Sequence, residues 1–217
     1  MLVAVVASGD LVSDDVRWLD RAELVIAADG GATALEQLGR RPHRLVGDLD
    51  SIEPPLVAKL EEAGVPIERH PADKDATDTE LALRAGMELG ATEIVLLGAL
   101  GGDRFDHELA NILLLADQEA ARLPVRIVRG PTTARVLRAG SLPLEGRVGS
   151  LVSLLPIGAD ATGVTTAGLR WPLEGATLSV GGSRGISNEV VATPASVTVR
   201  DGTLLVVETA SQGAPSP

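Results

Sequence analysis

The stretch R-L-V-G-D-L-D-S, residues 44–51, decides how the rest of the chain is read. It carries an apolar run to a glycine and then places two carboxylates two residues apart. In extended geometry side chains at i and i+2 share a face, so Asp48 and Asp50 are expected to point together. Like charges that close repel, and one pKa rises, unless something positive lies between them. A strand ending in a pair that asks for a cation belongs at the carboxyl edge of an open α/β sheet, where such folds bind ligands.

Around this strand, apolar runs at 2–7, 24–28, 66–70, 93–98 and 125–129 read as further strands. Amphipathic stretches at 14–21, 31–38, 55–63, 78–89 and 106–120 read as helices between them. Thr77 and Glu80 form a T-x-x-E capping box ahead of Leu81, Leu83 and Met87. Strand–helix alternation with short connections predicts a mostly parallel α/β sandwich over residues 1–130. Beyond it the period changes. Segments 134–138, 151–155, 177–180, 196–200 and 204–208 are short and β-branched, with Gly or Pro between them, which predicts an antiparallel β-sandwich over 131–210. The closing S-Q-G-A-P-S-P, 211–217, has the composition of a disordered tail.

Composition narrows the chemistry. The chain is 45% hydrophobic but 1% aromatic, so its core must be built mainly from Val, Leu, Ile and Ala. A formal net charge of -11 argues against nucleic acid or an anionic membrane as partner. Cysteine is absent, which excludes disulfides, thiolate metal sites and cysteine catalysis, and three scattered histidines do not suit zinc. The N-terminal M-L-V-A-V-V-A-S-G-D lacks a basic leader and reads as a strand, and no apolar run reaches membrane-spanning length. A cytoplasmic protein is expected.

Four acidic or glycine-rich clusters follow predicted strands: A-D-G-G-A at 28–32, G-D-L-D-S at 47–51, A-D-K-D-A-T-D at 72–78 and G-G-D-R-F-D-H at 101–107. Any one Asp in a turn can be a helix cap or an Asx turn. Four clusters on one sheet edge point instead to a site. Carboxylates without His or Cys suit a hard cation, and Mg2+ fits best because it combines a few carboxylates with waters and substrate phosphates. Lys74, Arg104 and the amides of Gly30 and Gly31 are then placed to contact phosphate oxygens. Neither a Walker loop nor G-x-G-x-x-G is present. In the second part, A-G-L-R-W-P-L at 167–173 holds Trp171, either a plug for an aliphatic core or a flat surface for a heterocycle. Ser187 and Asn188, in G-G-S-R-G-I-S-N-E at 181–189, can hydrogen-bond ring nitrogens or amines, or simply build a turn.

Taken in order, D-G-G-A, G-D-L-D-S, K-D-A-T-D-T-E-L-A-L, G-G-D-R-F-D-H-E-L-A-N and G-L-R-W-P-L with I-S-N-E resemble the thiamine pyrophosphokinase family over nearly the whole chain. The resemblance implies a homodimer with active sites between subunits, an N-terminal domain for ATP and Mg2+, and a C-terminal domain for thiamine. It implies transfer of pyrophosphate from ATP to the thiamine hydroxyl, giving thiamine diphosphate and AMP. By position, Asp48, Asp50, Asp75 and Asp78 look like the metal-holding carboxylates, and Asp48, Asp50, Asp78 and Asp106 like the catalytic set, with Asp78 as proton acceptor. Asp29, Gly30, Gly31, Lys74, Arg104 and His107 fall to the nucleotide, and Trp171, Ser187 and Asn188 to thiamine. Leu49 stands where the family more usually has Phe, and Asp103 is inserted before Arg104. Three other readings stay open: a pyrophosphokinase for another hydroxyalkyl heterocycle such as a pterin, a metal-dependent phosphohydrolase, and a non-catalytic thiamine or nucleotide sensor.

Overall fold

The computed structural model describes residues 1–117 and 120–211 and divides into two compact units, Met1–Gly130 and Pro131 onward. The tail expected at 211–217 falls outside the described residues beyond Ser211, as do residues 118–119 near the end of the helix expected at 106–120.

In the first unit, β1 (Leu2–Val6), β2 (Leu24–Ala28), β3 (Arg44–Gly47), β4 (Ile67–Arg69), β5 (Glu93–Leu97) and β6 (Val125–Arg129) pair in parallel. Among the described residues their order is β4-β3-β2-β1-β5-β6. These runs are apolar on both faces because both faces are covered, as in parallel sheets generally. On one face Ala4, Val6, Ala27, Leu45 and Leu97 meet side chains of α1 (Val16–Arg21), α2 (Gly31–Gln37) and α3 (Pro54–Glu62), with Trp18, Leu35 and Leu60 at the centre. The alternate positions Val3, Ile26 and Ile94 face α4 (Asp78–Glu88), which packs across β1, β2 and β3. Gly86 keeps that helix close, since a Cβ there would lie 3.3 Å from Ile94 Cδ1. The last helix of the unit, α5 (Phe105–Leu114), contacts α4.

The capping reading of Thr77 holds at its first half: Thr77 Oγ1 accepts from the Glu80 amide at 3.2 Å, and the Glu80 carboxylate pairs with Arg84 one turn on. The helix expected from residue 14 begins later. Residues Ser13–Asp15 form a 3-10 turn before α1. Asp15 explains the break, because its carboxylate is spent on other backbone. Oδ2 accepts from the Val12 amide at 3.0 Å and Oδ1 from the Gly130 amide at 2.8 Å. The side chain is buried, and burial raises its pKa against the pull of those two amides.

The second unit contains β7 (Thr132–Pro143), β8 (Leu151–Pro156), β9 (Ala161–Ala167), β10 (Ala176–Leu178), β11 (Asn188–Glu189) and β12 (Ser196–Thr209), with antiparallel pairing throughout the described residues. Two strands expected at 196–200 and 204–208 are one strand, β12, paired with β7 along its length. Its other edge meets β9 first and β8 later. Buried positions run Val197 and Val199, then Leu204 and Val206, so the inward phase resets between the halves. The reset falls at Gly202, whose φ is +97° and whose Cβ would lie 2.8 Å from the Asp160 carbonyl oxygen. Only glycine suits that bulge. Strand β9 escaped the sequence reading because Gly163, at φ +66°, interrupts its apolar pattern. No helix of the described residues is long and apolar enough to cross a membrane.

Asp15→Ala leaves the Val12 and Gly130 amides without their acceptor, and a loss of about 1–3 kcal/mol is expected. Urea denaturation followed by circular dichroism measures it; an unchanged midpoint would show that the two amides find other partners.

Candidate active site

The strand order turns back between β1 and β5, and the ligand crevice of an open α/β sheet lies at such a point. Here a cavity of about 430 Å³ opens at the carboxyl ends of the strands, lined among others by Ser8, Asp29, Asp48, Lys74, Asp78 and Arg104.

Its polar centre is a group of three carboxylates. Asp29 follows β2, Asp48 follows β3 and Asp78 opens α4, and one oxygen from each lies within 4.8 Å of the others. Backbone geometry makes the approach possible. Asp29 sits at φ +44°, a conformation uncommon outside glycine, and at Gly47, with φ +148°, a Cβ would crowd Asp78 Oδ1 and Asp29 Cβ at 3.1 Å each. Asp29 is 5% exposed, and its Oδ1 has no hydrogen-bond partner. Burial raises the Asp29 pKa, hydrogen bonds from Ser51 and the Gly30 amide oppose the rise, and the charges of Asp78 and Asp48 add to it. Lys74 neutralises the other two: Nζ lies 2.6 Å from Asp48 Oδ2 and 3.1 Å from Asp78 Oδ1. Its hydrogen bond holds Asp48 below the ordinary carboxylate range. Burial would lower Lys74 itself, but the two carboxylates outweigh it and raise the ammonium's pKa.

The chain geometry expected of D-L-D is overturned. Leu49 adopts φ +68° and buries its side chain in the core under the sheet, so residues 48–50 turn rather than extend. The apolar residue between the aspartates is an anchor, and Asp50 follows it on a turn rather than at the next position of a strand. Asp50 is exposed at the cavity wall, takes a hydrogen bond from Ser51 Oγ at 3.0 Å and donates its amide to Asp48 Oδ1 at 3.3 Å. Asp29, read from sequence with the nucleotide, joins Asp48 and Asp78 in the group, and Asp50 keeps its contact with Asp48 through the amide. Asp75 is exposed and outside the cavity lining.

Gly30 and Gly31 are not among the residues lining the cavity, and Gly31 also answers to packing. A Cβ on Gly31 would lie 2.0 Å from the Val6 carbonyl oxygen, so glycine lets α2 start hard against β1. Arg104, His107 and the inserted Asp103 do line it. Arg104 makes a two-pronged pair with Asp106, at 2.9 and 2.6 Å, on the exposed rim, and this bond pulls the Asp106 pKa down to about 2. Sequence reading assigned nothing to Asn111, which is buried on α5 and donates from Nδ2 to the Ala99 carbonyl at 2.9 Å, holding the loop after β5. A polar residue within an apolar helix run was the available signal.

In the second unit, Leu169 and Leu173 are core residues while Trp171 between them is 60% exposed, which excludes the core-plug reading. Asn188 holds this segment by both ends of its amide: Oδ1 accepts from the Trp171 amide at 3.1 Å, and Nδ2 donates to the Trp171 carbonyl at 2.7 Å. It is therefore a brace for Trp171 as much as a free hydrogen-bonding group. Arg170 lies 5.8 Å from the indole centroid and pairs with Glu189 at 3.0 Å. Ser187 is exposed at φ +57°, with its amide on Ser153 Oγ at 3.1 Å.

The chain matches the model of the thiamin pyrophosphokinase catalytic domain over residues 16–127, more than half of its length, and that of the thiamin pyrophosphokinase vitamin B1 binding domain over 141–204. The chain belongs to the thiamin pyrophosphokinase family. Thiamine pyrophosphokinase 1 of Oryza sativa subsp. japonica is 32% identical over 198 residues, covering 79% of this chain and 73% of that protein. Thiamine pyrophosphokinase of Bacillus subtilis is 28% identical over 208 residues, covering 94% and 97%. A crystal structure of thiamine pyrophosphokinase from Bacillus subtilis matches this one with a TM-score of 0.86 at 26% identity over 97% of this chain and 100% of that one. Thiamin pyrophosphokinases are ATP-dependent diphosphokinases. The catalytic-domain match contains Asp29, Asp48, Lys74 and Asp78, and the vitamin B1 binding match contains Trp171, Ser187 and Asn188.

Proposed function

We propose that this chain transfers pyrophosphate from ATP to the hydroxyl of thiamine, giving thiamine diphosphate and AMP, with Mg2+ held at the three-carboxylate group. The observation that carries the metal assignment is the convergence of Asp29, Asp48 and Asp78, one oxygen of each within 4.8 Å of the others and Asp29 buried with an unpartnered oxygen, an all-oxygen set that suits a hard divalent cation. Asp29, Asp48 and Asp78 would hold the ion, with exposed Asp50 and Asp75 as outer members of the acidic set. Its chemistry there is neutralisation of phosphate charge.

The chain's own residues do the rest by positioning and charge, the basis of phosphoryl-type transfer. Lys74, Arg104 and His107 line the cavity and supply the cationic and hydrogen-bonding side for polyphosphate. Asp106 fixes the Arg104 guanidinium through its two-pronged pair. Trp171, exposed and braced by Asn188, offers its ring to the thiamine heterocycle, with Ser187 next to Asn188 in the chain. In the reaction the hydroxyl oxygen bonds to the β-phosphorus as the bond to the bridging oxygen of AMP breaks. The hydroxyl proton passes to a carboxylate, for which we assign Asp78. A homodimer and a cytoplasmic setting belong to the same proposal and rest on the family likeness.

Incubation with thiamine, ATP and Mg2+, followed by separation of all products, should give AMP and thiamine diphosphate in equal amounts. ADP with thiamine monophosphate would overturn the transfer chemistry, and phosphate released without thiamine dependence would mark a hydrolase. Asp48→Asn should lower kcat about 10²–10³-fold, the scale for losing one electrostatic stabiliser; turnover near wild type would remove Asp48 from the machinery. Trp171→Ala should weaken thiamine binding by about 1–3 kcal/mol, the range for a lost stacked ring, and an unchanged KM for thiamine would end that assignment.

A further inference from the structure

Lys74 does not merely line the cavity. Its ammonium lies against two of the three carboxylates proposed to hold the metal, 2.6 Å from Asp48 Oδ2 and 3.1 Å from Asp78 Oδ1. The third, Asp29, is buried with an unpartnered oxygen in the same group. Three carboxylates with oxygens inside 4.8 Å repel strongly where water is scarce, and one cation between them relieves most of that repulsion. A lysine and a divalent ion on the same oxygens of Asp48 and Asp78 also repel each other, so the cluster favours one or the other. The structure shows the lysine in possession. The side chain has an alternative partner available once substrate arrives, because the cavity it lines also has to take polyphosphate.

We propose that Lys74 is a tethered counter-ion that competes with the divalent metal for Asp48 and Asp78, and that a polyphosphate oxygen must draw its ammonium away before the metal is held tightly. This rests on the reading of Asp29, Asp48 and Asp78 as the metal group. It makes metal and nucleotide enter together: bare metal meets an occupied cluster, and bare polyphosphate meets carboxylates held by a single positive charge. Lys74 is in this role a positioning residue whose contact changes from carboxylate to phosphate.

Isothermal titration calorimetry on the full chain tests it, with Mn2+ alone and with the complex of Mn2+ and α,β-methylene-ATP, whose transferred bond cannot break. The wild-type protein should bind Mn2+ alone weakly and the complex well. Lys74→Met should bind Mn2+ alone at least about tenfold more tightly, since a competing charge a few ångströms away is gone, and should bind the complex no more tightly than wild type. Lys74→Arg, which keeps the charge, should bind Mn2+ alone as weakly as wild type. Lys74→Gln replaces the Met variant if a thermal melt shows the latter unfolded. Equal Mn2+ affinity in wild type and the uncharged variant, with the complex still bound, would overturn the competition and leave the metal group standing. Equal tightening in the Arg and Met variants would also overturn it. If metal added nothing to analogue binding in wild type, the metal reading itself would fall, and this inference with it.

Discussion

Repulsion among Asp29, Asp48 and Asp78 is the constraint around which the first unit is arranged. Carboxylates brought this close destabilise a fold unless backbone geometry forces them together and a positive charge answers them. The strained φ of Asp29, the missing Cβ at Gly47 and the α4 start fixed by Thr77 provide the force. Lys74 provides the charge. Strain and unpaired buried polar atoms concentrate where function needs them, and the unpartnered Asp29 oxygen is one such place.

The second unit solves a different problem. It must show an indole to solvent on a unit with a purely aliphatic core. Leu169 and Leu173 sink into that core on either side, and Asn188 takes up both the amide and the carbonyl of Trp171. The ring is thus presented on a short loop whose backbone has little freedom. The bulge at Gly202 lets β12 turn its apolar face over, so that one strand lines the core beside β9 and again beside β8.

Much of this was legible in the chain. Continuous apolar runs mark the parallel strands, because both faces of that sheet are covered, and acidic clusters after them mark its carboxyl edge. Less legible was anything set by a positive φ or by distant backbone. D-L-D reads as an extended pair, yet the core claims Leu49 and the chain turns there. D-G-G reads as a phosphate loop, and nothing local shows that Gly31 also has to clear the Val6 carbonyl. Asp15 falls inside the helix read at 14–21, although one of its partners is Gly130, 115 residues away.

By itself, then, the sequence determined the layers, the parallel and antiparallel halves, the all-oxygen character of the site and the isolated tryptophan, since these follow from side-chain type and period. Tertiary structure alone decided which three of the many aspartates meet, that a lysine sits on two of them, and that Trp171 faces water. Those outcomes depend on where strands end relative to one another and on which side chains the core claims first, and no local pattern carries either.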